Sequence, residues 1–262
     1  MAVSGAALVT GGSQRIGRAL SLALARRGHA VAVHYATSRE AAETLAAEIA
    51  AAGGHAVALG ADLLDEAAAK GLVARAADAL GEPLAVLVNN ASIFEHDTLE
   101  TATDESWQRH IGSNLRAPFL LTQSFAAQAP APGRDAEGEP VARAAVVNLI
   151  DQRVLKPTPE FMTYTIAKMG LWAFTRTAAQ ALAPRIRVNA IGPGPTVQGQ
   201  RQSAEHFARQ RAACLLERGA GPEDVAATLA YLLDSPSVTG QMICIDGGQH
   251  LAWRTPDVLG SE

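Results

Sequence analysis

Cysteine, lysine and aromatic residues are scarce in these 262 residues, and each scarcity excludes something. Cys214 and Cys244 are the two cysteines. They make no disulfide framework, which points to a reducing cytoplasm. Neither lies in a motif that would indicate a redox role. No apolar run reaches the roughly 18 residues needed to span a bilayer. Met1 leads almost directly into Ala6-Ala7-Leu8-Val9, so no signal peptide and no membrane association is expected. The net charge is −4, without a block of like charge, which makes nucleic acid and anionic membrane surfaces poor partners. His96, His110, His206 and His250 lack metal-ligand spacing and read as surface or packing residues, so no metal is expected. What is plentiful is apolar mass. Hydrophobic residues make up 48% against 18% charged, enough for the core of one large domain.

Short apolar runs alternate with segments of helical periodicity. Strands are expected over residues 6–10, 30–34, 57–59, 84–88, 144–150, 186–190 and 242–245, with helices over 15–27, 39–52 and 65–80. Continuous apolar strands alternating with helices predict a parallel sheet covered on both faces, a doubly wound α/β domain spanning residues 1–262. Gln128 to Pro140, with three prolines and two glycines, reads as a mobile surface loop. The excursion over 196–218, on the carboxyl side of a strand, is where a substrate lid is expected. Trp107, Leu115 to Leu121 and Trp253 with Leu251 read as helix core or subunit contacts.

The first strand runs into Thr10-Gly11-Gly12-Ser13-Gln14-Arg15-Ile16-Gly17, and a helix begins at once. Glycines here allow a tight turn, close approach of a pyrophosphate and a helix start near the sheet. Glycines alone fit any strand-turn-helix, but their place on the first strand of a parallel sheet favours a dinucleotide. An NAD site carries an acid at the end of the second strand. This chain has His34-Tyr35-Ala36-Thr37-Ser38-Arg39 there, with no carboxylate until Glu40. Arg15 and Arg39 can pair with a 2′-phosphate while Thr37 and Ser38 supply hydroxyls, so NADPH is the expected cofactor. Ser38 also reads as a helix N-cap.

Tyr164-Thr165-Ile166-Ala167-Lys168 sets a phenol and an ammonium on one helical face. A phenol is a poor acid–base group near neutral pH unless a cation stabilises its phenolate, and Lys168 is one of only three lysines. Alone, such a pair is as common on a plain surface helix. Together with Thr10-Gly11 through Ile16-Gly17, Asn89-Asn90-Ala91-Ser92, Asn114, Pro193-Gly194 and Asp246-Gly247-Gly248, it resembles the short-chain dehydrogenase/reductase family over nearly the whole chain. The resemblance implies a Rossmann-type domain with a seven-stranded parallel sheet, a nicotinamide cofactor and a homotetramer. It also implies Tyr164 as proton donor, Lys168 lowering its pKa and gripping the ribose, and Asn114 holding a relay water. Gly11, Ile16, Gly17, His34, Tyr35, Asn90, Ala91, Pro193 and Gly194 fall in the implied cofactor site, with Asp62 by the adenine and Thr196 by the carboxamide.

One position departs from that pattern. Thirteen residues before the tyrosine, where most members carry a serine that polarises the substrate carbonyl, stands Asp151. A carboxylate cannot donate to a carbonyl oxygen and would repel a developing alkoxide. The ordinary structural reading is an aspartate capping the strand end. A carboxylate there also suits a substrate with N–H donors and a ring nitrogen to be protonated. The Asp151 and Tyr164 pairing is similar to the pteridine reductases and dihydromonapterin reductases of the same family. That likeness implies substrate contacts from Arg15, Ser92, Phe94, Asp151 and Tyr164, with Phe94 stacking on a pterin unless it is simply core.

The expected reaction is NADPH-dependent reduction of a pterin or dihydropterin C=N bond, dihydrofolate included. Tyr164 protonates one ring nitrogen, and Asp151 orients the ring and supplies a proton on its other side. Two other readings stay open: a reductase of another carbonyl or imine, and an inactive dinucleotide-binding scaffold.

Overall fold

The computed structural model describes Val3, residues 5–199 and residues 202–254. The chain runs β1 (Ala6–Val9), α1 (Arg15–Arg26), β2 (Val31–Tyr35), α2 (Arg39–Ala51), β3 (Ala56–Gly60), α3 (Glu66–Leu80) and β4 (Leu84–Asn89). It continues through α4 (Asp104–Ile111), a π-helical turn (Gly112–Arg116), α5 (Ala117–Gln128), β5 (Gly133–Arg134), β6 (Pro140–Val141) and β7 (Ala144–Leu149). After a 3-10 turn (Gln152–Val154) come α6 (Met162–Leu182), β8 (Ile186–Pro193), α7 (Ala204–Ala212), α8 (Pro222–Asp234) and β9 (Met242–Ile245).

Seven of these strands form one sheet in the order β3-β2-β1-β4-β7-β8-β9. Every pairing in it is parallel. The strands are apolar on both sides because both faces are covered. Ala7 and Val9 of β1 point into a core with Leu20, Leu24, Leu45, Ile49 and Leu229, contributed by α1, α2 and α8. Ala6 and Leu8 point the other way, into Leu72, Leu80, Leu121 and Phe125 from α3 and α5, with Ala178 of α6. Each fully buried leucine contributes about 2 kcal/mol of transfer free energy, so these layers hold the sheet edge that carries the site. Among the described residues no helix is long and apolar enough to cross a membrane.

Two segments differ from expectation. β8 runs on to Pro193, because Ile191 and Pro193 still find partners in Leu149 of β7 and Ile245 of β9. The stretch over 128–140 folds back as the antiparallel ribbon β5–β6. Asp135 makes its turn: Oδ1 accepts from Glu137 N at 3.1 Å and Glu139 N at 2.8 Å, and Gly138 takes φ +85°. Composition marked the prolines and glycines but not this side-chain-built turn.

Candidate active site

β1 carries the glycine loop to the sheet's carboxyl edge beside β4, where the strand order reverses. A Cβ on Gly17 would lie 2.0 Å from Gly11 O and 2.7 Å from Asn90 Nδ2, so α1 can start this close to the sheet only with glycine. Asn90 stitches the loop down, its Nδ2 donating to Thr10 O at 2.9 Å and Gly11 O at 3.0 Å. Thr10 Oγ1 in turn accepts from the backbone of Asn90 at 2.9 Å and Ala91 at 3.0 Å.

His34 supports the loop from below. It is buried, and its Nδ1 accepts from Gly11 N at 3.0 Å while Nε2 faces Ala61 O at 3.1 Å. That geometry needs a neutral ring with the proton on Nε2. Burial lowers its pKa accordingly. Arg15 holds φ +52°, a left-handed conformation that favours glycine. Its guanidinium donates to Val197 O at 3.1 Å and Gln198 O at 2.8 Å, reaching across to the segment expected as a lid.

The loop opens into a cavity of about 500 Å³. Gly11, Arg15, Ile16 and Gly17 line it at one end, followed by Tyr35, Thr37 and Ser38 from the tip of β2. Asn90, Ala91, Ser92 and Phe94 form the side after β4, and Asp151, Tyr164 and Lys168 the far wall. Pro193, Gly194 and Thr196 complete it after β8. Four expected site residues lie off its surface. His34 is beneath the loop, and Arg39 stands 5.7 Å over the Tyr35 ring and pairs with Glu43 at 3.5 Å. Asp62 accepts from Leu64 N at 2.9 Å. Asn114, in the π-helical turn, frames the backbone of Ile93, accepting from its N at 2.9 Å and donating to its O at 2.8 Å.

At the far wall the Tyr164 hydroxyl donates to Asp151 Oδ2 at 2.9 Å, and Asp151 Oδ1 accepts from Arg153 N at 2.8 Å. Lys168 Nζ donates to Leu149 O at 2.8 Å and lies 5.7 Å from the Tyr164 ring. Burial raises the Asp151 carboxyl above the usual range, against the backbone and Tyr164 bonds that favour its charge. Burial also pulls the Lys168 ammonium down to about 8. The groups that favour the Tyr164 phenolate here are Arg153 and Ser92 rather than the expected Lys168, and they are outweighed. Burial and then the Asp151 carboxylate push the phenol well above its ordinary value, so it stays protonated near neutral pH.

Several site residues were not anticipated. Phe161 packs face to face on Phe94, ring centroids 4.2 Å apart, and Phe94 meets Tyr164 edge-on at 4.7 Å. The Arg153 guanidinium stands 5.2 Å over Phe161, and both Arg153 and Gln152 line the cavity. Gln152 Oε1 and Arg153 Nε are buried polar atoms without a hydrogen-bond partner among the described residues. Phe161 sits one helical turn before Tyr164, a spacing that could have drawn attention to it. Phe94 itself is half exposed rather than core.

The segment expected as a lid holds α7, whose Phe207 and Gln210 reach the cavity; its Gln200 and Arg201 lie outside the described residues. Arg211 ties the segment's two ends together, donating to Pro195 O at 2.8 Å, Ala220 O at 2.7 Å and Gly219 O at 2.9 Å.

The same architecture is found in known proteins. Residues 11–250 match a family model described as enoyl-(acyl carrier protein) reductase. A 3-oxoacyl-[acyl-carrier-protein] reductase of Synechocystis sp. is 35% identical over 92% of this chain and 95% of that protein. The crystal structure of FolM alternative dihydrofolate reductase 1 from Brucella suis, in complex with NADP, superposes with a TM-score of 0.90 at 43% identity. That match covers 98% of this chain and all of that one. A short chain dehydrogenase from Burkholderia cenocepacia, also in complex with NADP, gives 0.83 at 31% identity over 94% and 97%. The residues fit NADPH: Gly11 and Gly17 line the cavity at the start of α1, where a helix N-terminus favours a pyrophosphate, and Tyr35 to Ser38 line it without a carboxylate to repel a 2′-phosphate. The chain therefore belongs to the short-chain dehydrogenase/reductase family and is an NADP-dependent reductase of a small molecule.

Proposed function

We propose that this enzyme reduces a C=N bond of a pterin or dihydropterin ring, dihydrofolate included. One observation carries the reading: the Tyr164 phenol donates to a buried carboxylate, Asp151, in place of the hydroxyl that plain carbonyl reduction uses. Similarity to a protein described as an alternative dihydrofolate reductase supports it. The 3-oxoacyl-[acyl-carrier-protein] reductase relatives favour a carbonyl substrate instead. Against that substrate, Asp151 would oppose the negative charge developing on a carbonyl oxygen.

NADPH, held along the cavity by the glycine loop and the tip of β2, would supply the hydride for the ring carbon. Tyr164, kept protonated by burial, gives its proton to the adjoining nitrogen, so that C=N becomes CH–NH. Asp151, whose raised pKa lets it take a proton more readily than a surface aspartate, accepts from the ring's N–H groups. A proton it takes from one of them is returned to the ring on the other side, so the net proton gained is the one from Tyr164. Phe94, half exposed with one face stacked on Phe161, brings an aromatic ring to the cavity wall for the substrate, and Ser92 and Arg15 offer donors there. Lys168 is assigned to the ribose and to the tyrosine, and Asn114 to a relay water. Thr37, Ser38, Arg39 and Arg15 are assigned to the 2′-phosphate, and Asp62 to the adenine. Residues 196–218 act as the lid, and the working unit is a homotetramer in the cytoplasm.

Asp151→Ser restores the usual donor and tests the reading directly. Turnover of a 7,8-dihydropterin is expected to fall about a hundredfold, with the NADPH Kd kept within about twofold. Unchanged turnover would remove Asp151 from the chemistry.

A further inference from the structure

The first turn of α6, which carries Tyr164, has no cap of its own. Phe161 stands at its N-cap position in a left-handed conformation and makes no side-chain capping bond. The open N–H groups go instead to a residue on the loop after β4. Asp97 O accepts from Phe161 N at 2.8 Å and Met162 N at 3.3 Å, and Asp97 Oδ1 accepts from Thr163 N at 3.2 Å. Asp97 is 2% exposed and lies on the same loop as Phe94. The loop that lines the substrate side of the cavity thus caps the helix that carries the phenol.

Behind this cap runs a buried polar chain. Glu95 N donates to His110 Nε2 at 3.1 Å, His110 Nδ1 meets Thr163 Oγ1 at 2.7 Å, and the Thr163 hydroxyl donates to Asp97 Oδ2. His110 is 0% exposed, and its ring lies edge-on to Tyr164 at 6.0 Å. Because Nε2 accepts, the proton of the neutral ring sits on Nδ1 and goes to Thr163. Thr163's single proton must then go to Asp97. Only a carboxylate closes this chain. An asparagine amide would face either the Thr163 N–H or the Thr163 hydroxyl proton with its own N–H. Reversing the hydroxyl would force His110 into the tautomer that clashes with Glu95 N–H.

We propose that Asp97, Thr163 and His110 are positioning residues that set the Tyr164 phenol against Asp151 by clamping the first turn of α6 to the Phe94 loop. The assignment rests on Tyr164 being the proton donor of the proposed reaction. It concerns where the phenol is held, so it reads out in kcat rather than in cofactor binding.

Thr163→Val keeps the side-chain shape and removes the hydroxyl, and Thr163→Ser restores it. Both are assayed for NADPH binding, for amide exchange over residues 161–165, and for turnover of dihydrofolate and of an acetoacetyl thioester. The valine variant is expected to bind NADPH within about twofold of wild type, to exchange faster in the first turn of α6, and to lose at least about tenfold in kcat with KM little changed. The serine variant should recover kcat to within about threefold of wild type. An unchanged kcat in the valine variant would overturn the proposal, as would a serine variant no more active than valine. If the valine variant does not fold, His110→Gln replaces it: the glutamine retains an acceptor for Glu95 N–H and should lower kcat about threefold at unchanged NADPH affinity. An undiminished kcat there also overturns the clamp. Wild type active on the thioester but not on dihydrofolate would discard the pterin reading, with the clamp then measured on the thioester.

Discussion

Lys168 Nζ donates to Leu149 O at 2.8 Å, mooring a buried ammonium to the end of β7 two residues before Asp151. Burial lowers its pKa from 10.5 to about 8, only partly offset by Asp151. Between those two values the unfolded chain holds a proton that the folded chain has released. Stability of the cofactor-free protein from this residue therefore rises with pH across the window and is lowest below about pH 8. The charged lysine costs about 3 kcal/mol below that window. Lys168→Met should raise the melting temperature at neutral pH, flatten the rise between pH 8 and 10.5, and abolish turnover. Thermal denaturation of both proteins across this range checks it.

Tyr164→Phe removes one oxygen from a site whose packing otherwise stays the same. Turnover is expected to drop at least about a thousandfold, while NADPH still binds within about twofold. Single-turnover kinetics with NADPH fluorescence separates the two quantities.

Gly17→Ala tests the cofactor cradle. The added Cβ would meet Gly11 O at 2.0 Å and must push α1 away from the glycine loop. NADPH affinity should fall at least about tenfold, with a loss of stability of about 1 to 3 kcal/mol from overpacking. Isothermal titration and thermal melts measure the pair.

At the tip of β2, Ala36→Asp would place the carboxylate that this chain lacks beside Thr37 and Ser38. Preference for NADPH over NADH, taken as the ratio of kcat/KM values, should shrink at least about tenfold. Steady-state kinetics with both cofactors reads the ratio.

Much of this site is local in sequence. Gly11 to Gly17 form a single turn, Tyr164 and Lys168 share one helical face, and Asp151 ends an apolar strand, so each announces itself within a short window. His34 shows the limit. Its place at the end of β2 suggested cofactor contact, but β-strand side chains alternate, and this one turns inward to accept from Gly11 N. Phe94 and Phe161 stack across two separate loops, and Asp97 caps a helix that starts far along the chain. No sequence window contains both partners of either contact. The turn at Asp135 and the Arg211 clamp were illegible for a related reason, since an aspartate or arginine side chain bonding to backbone carries no periodicity.

The pterin reading rests most directly on which substrate consumes NADPH. Oxidation of NADPH by the purified protein should be followed against 7,8-dihydropterins, dihydrofolate, oxidised pterins, simple diketones and 3-oxoacyl thioesters. Turnover confined to the pterin and folate compounds, and lost in Asp151→Ser, is the predicted result. Turnover of the diketones or thioesters alone would contradict it, leaving an NADP-dependent reductase in which Asp151 serves another end.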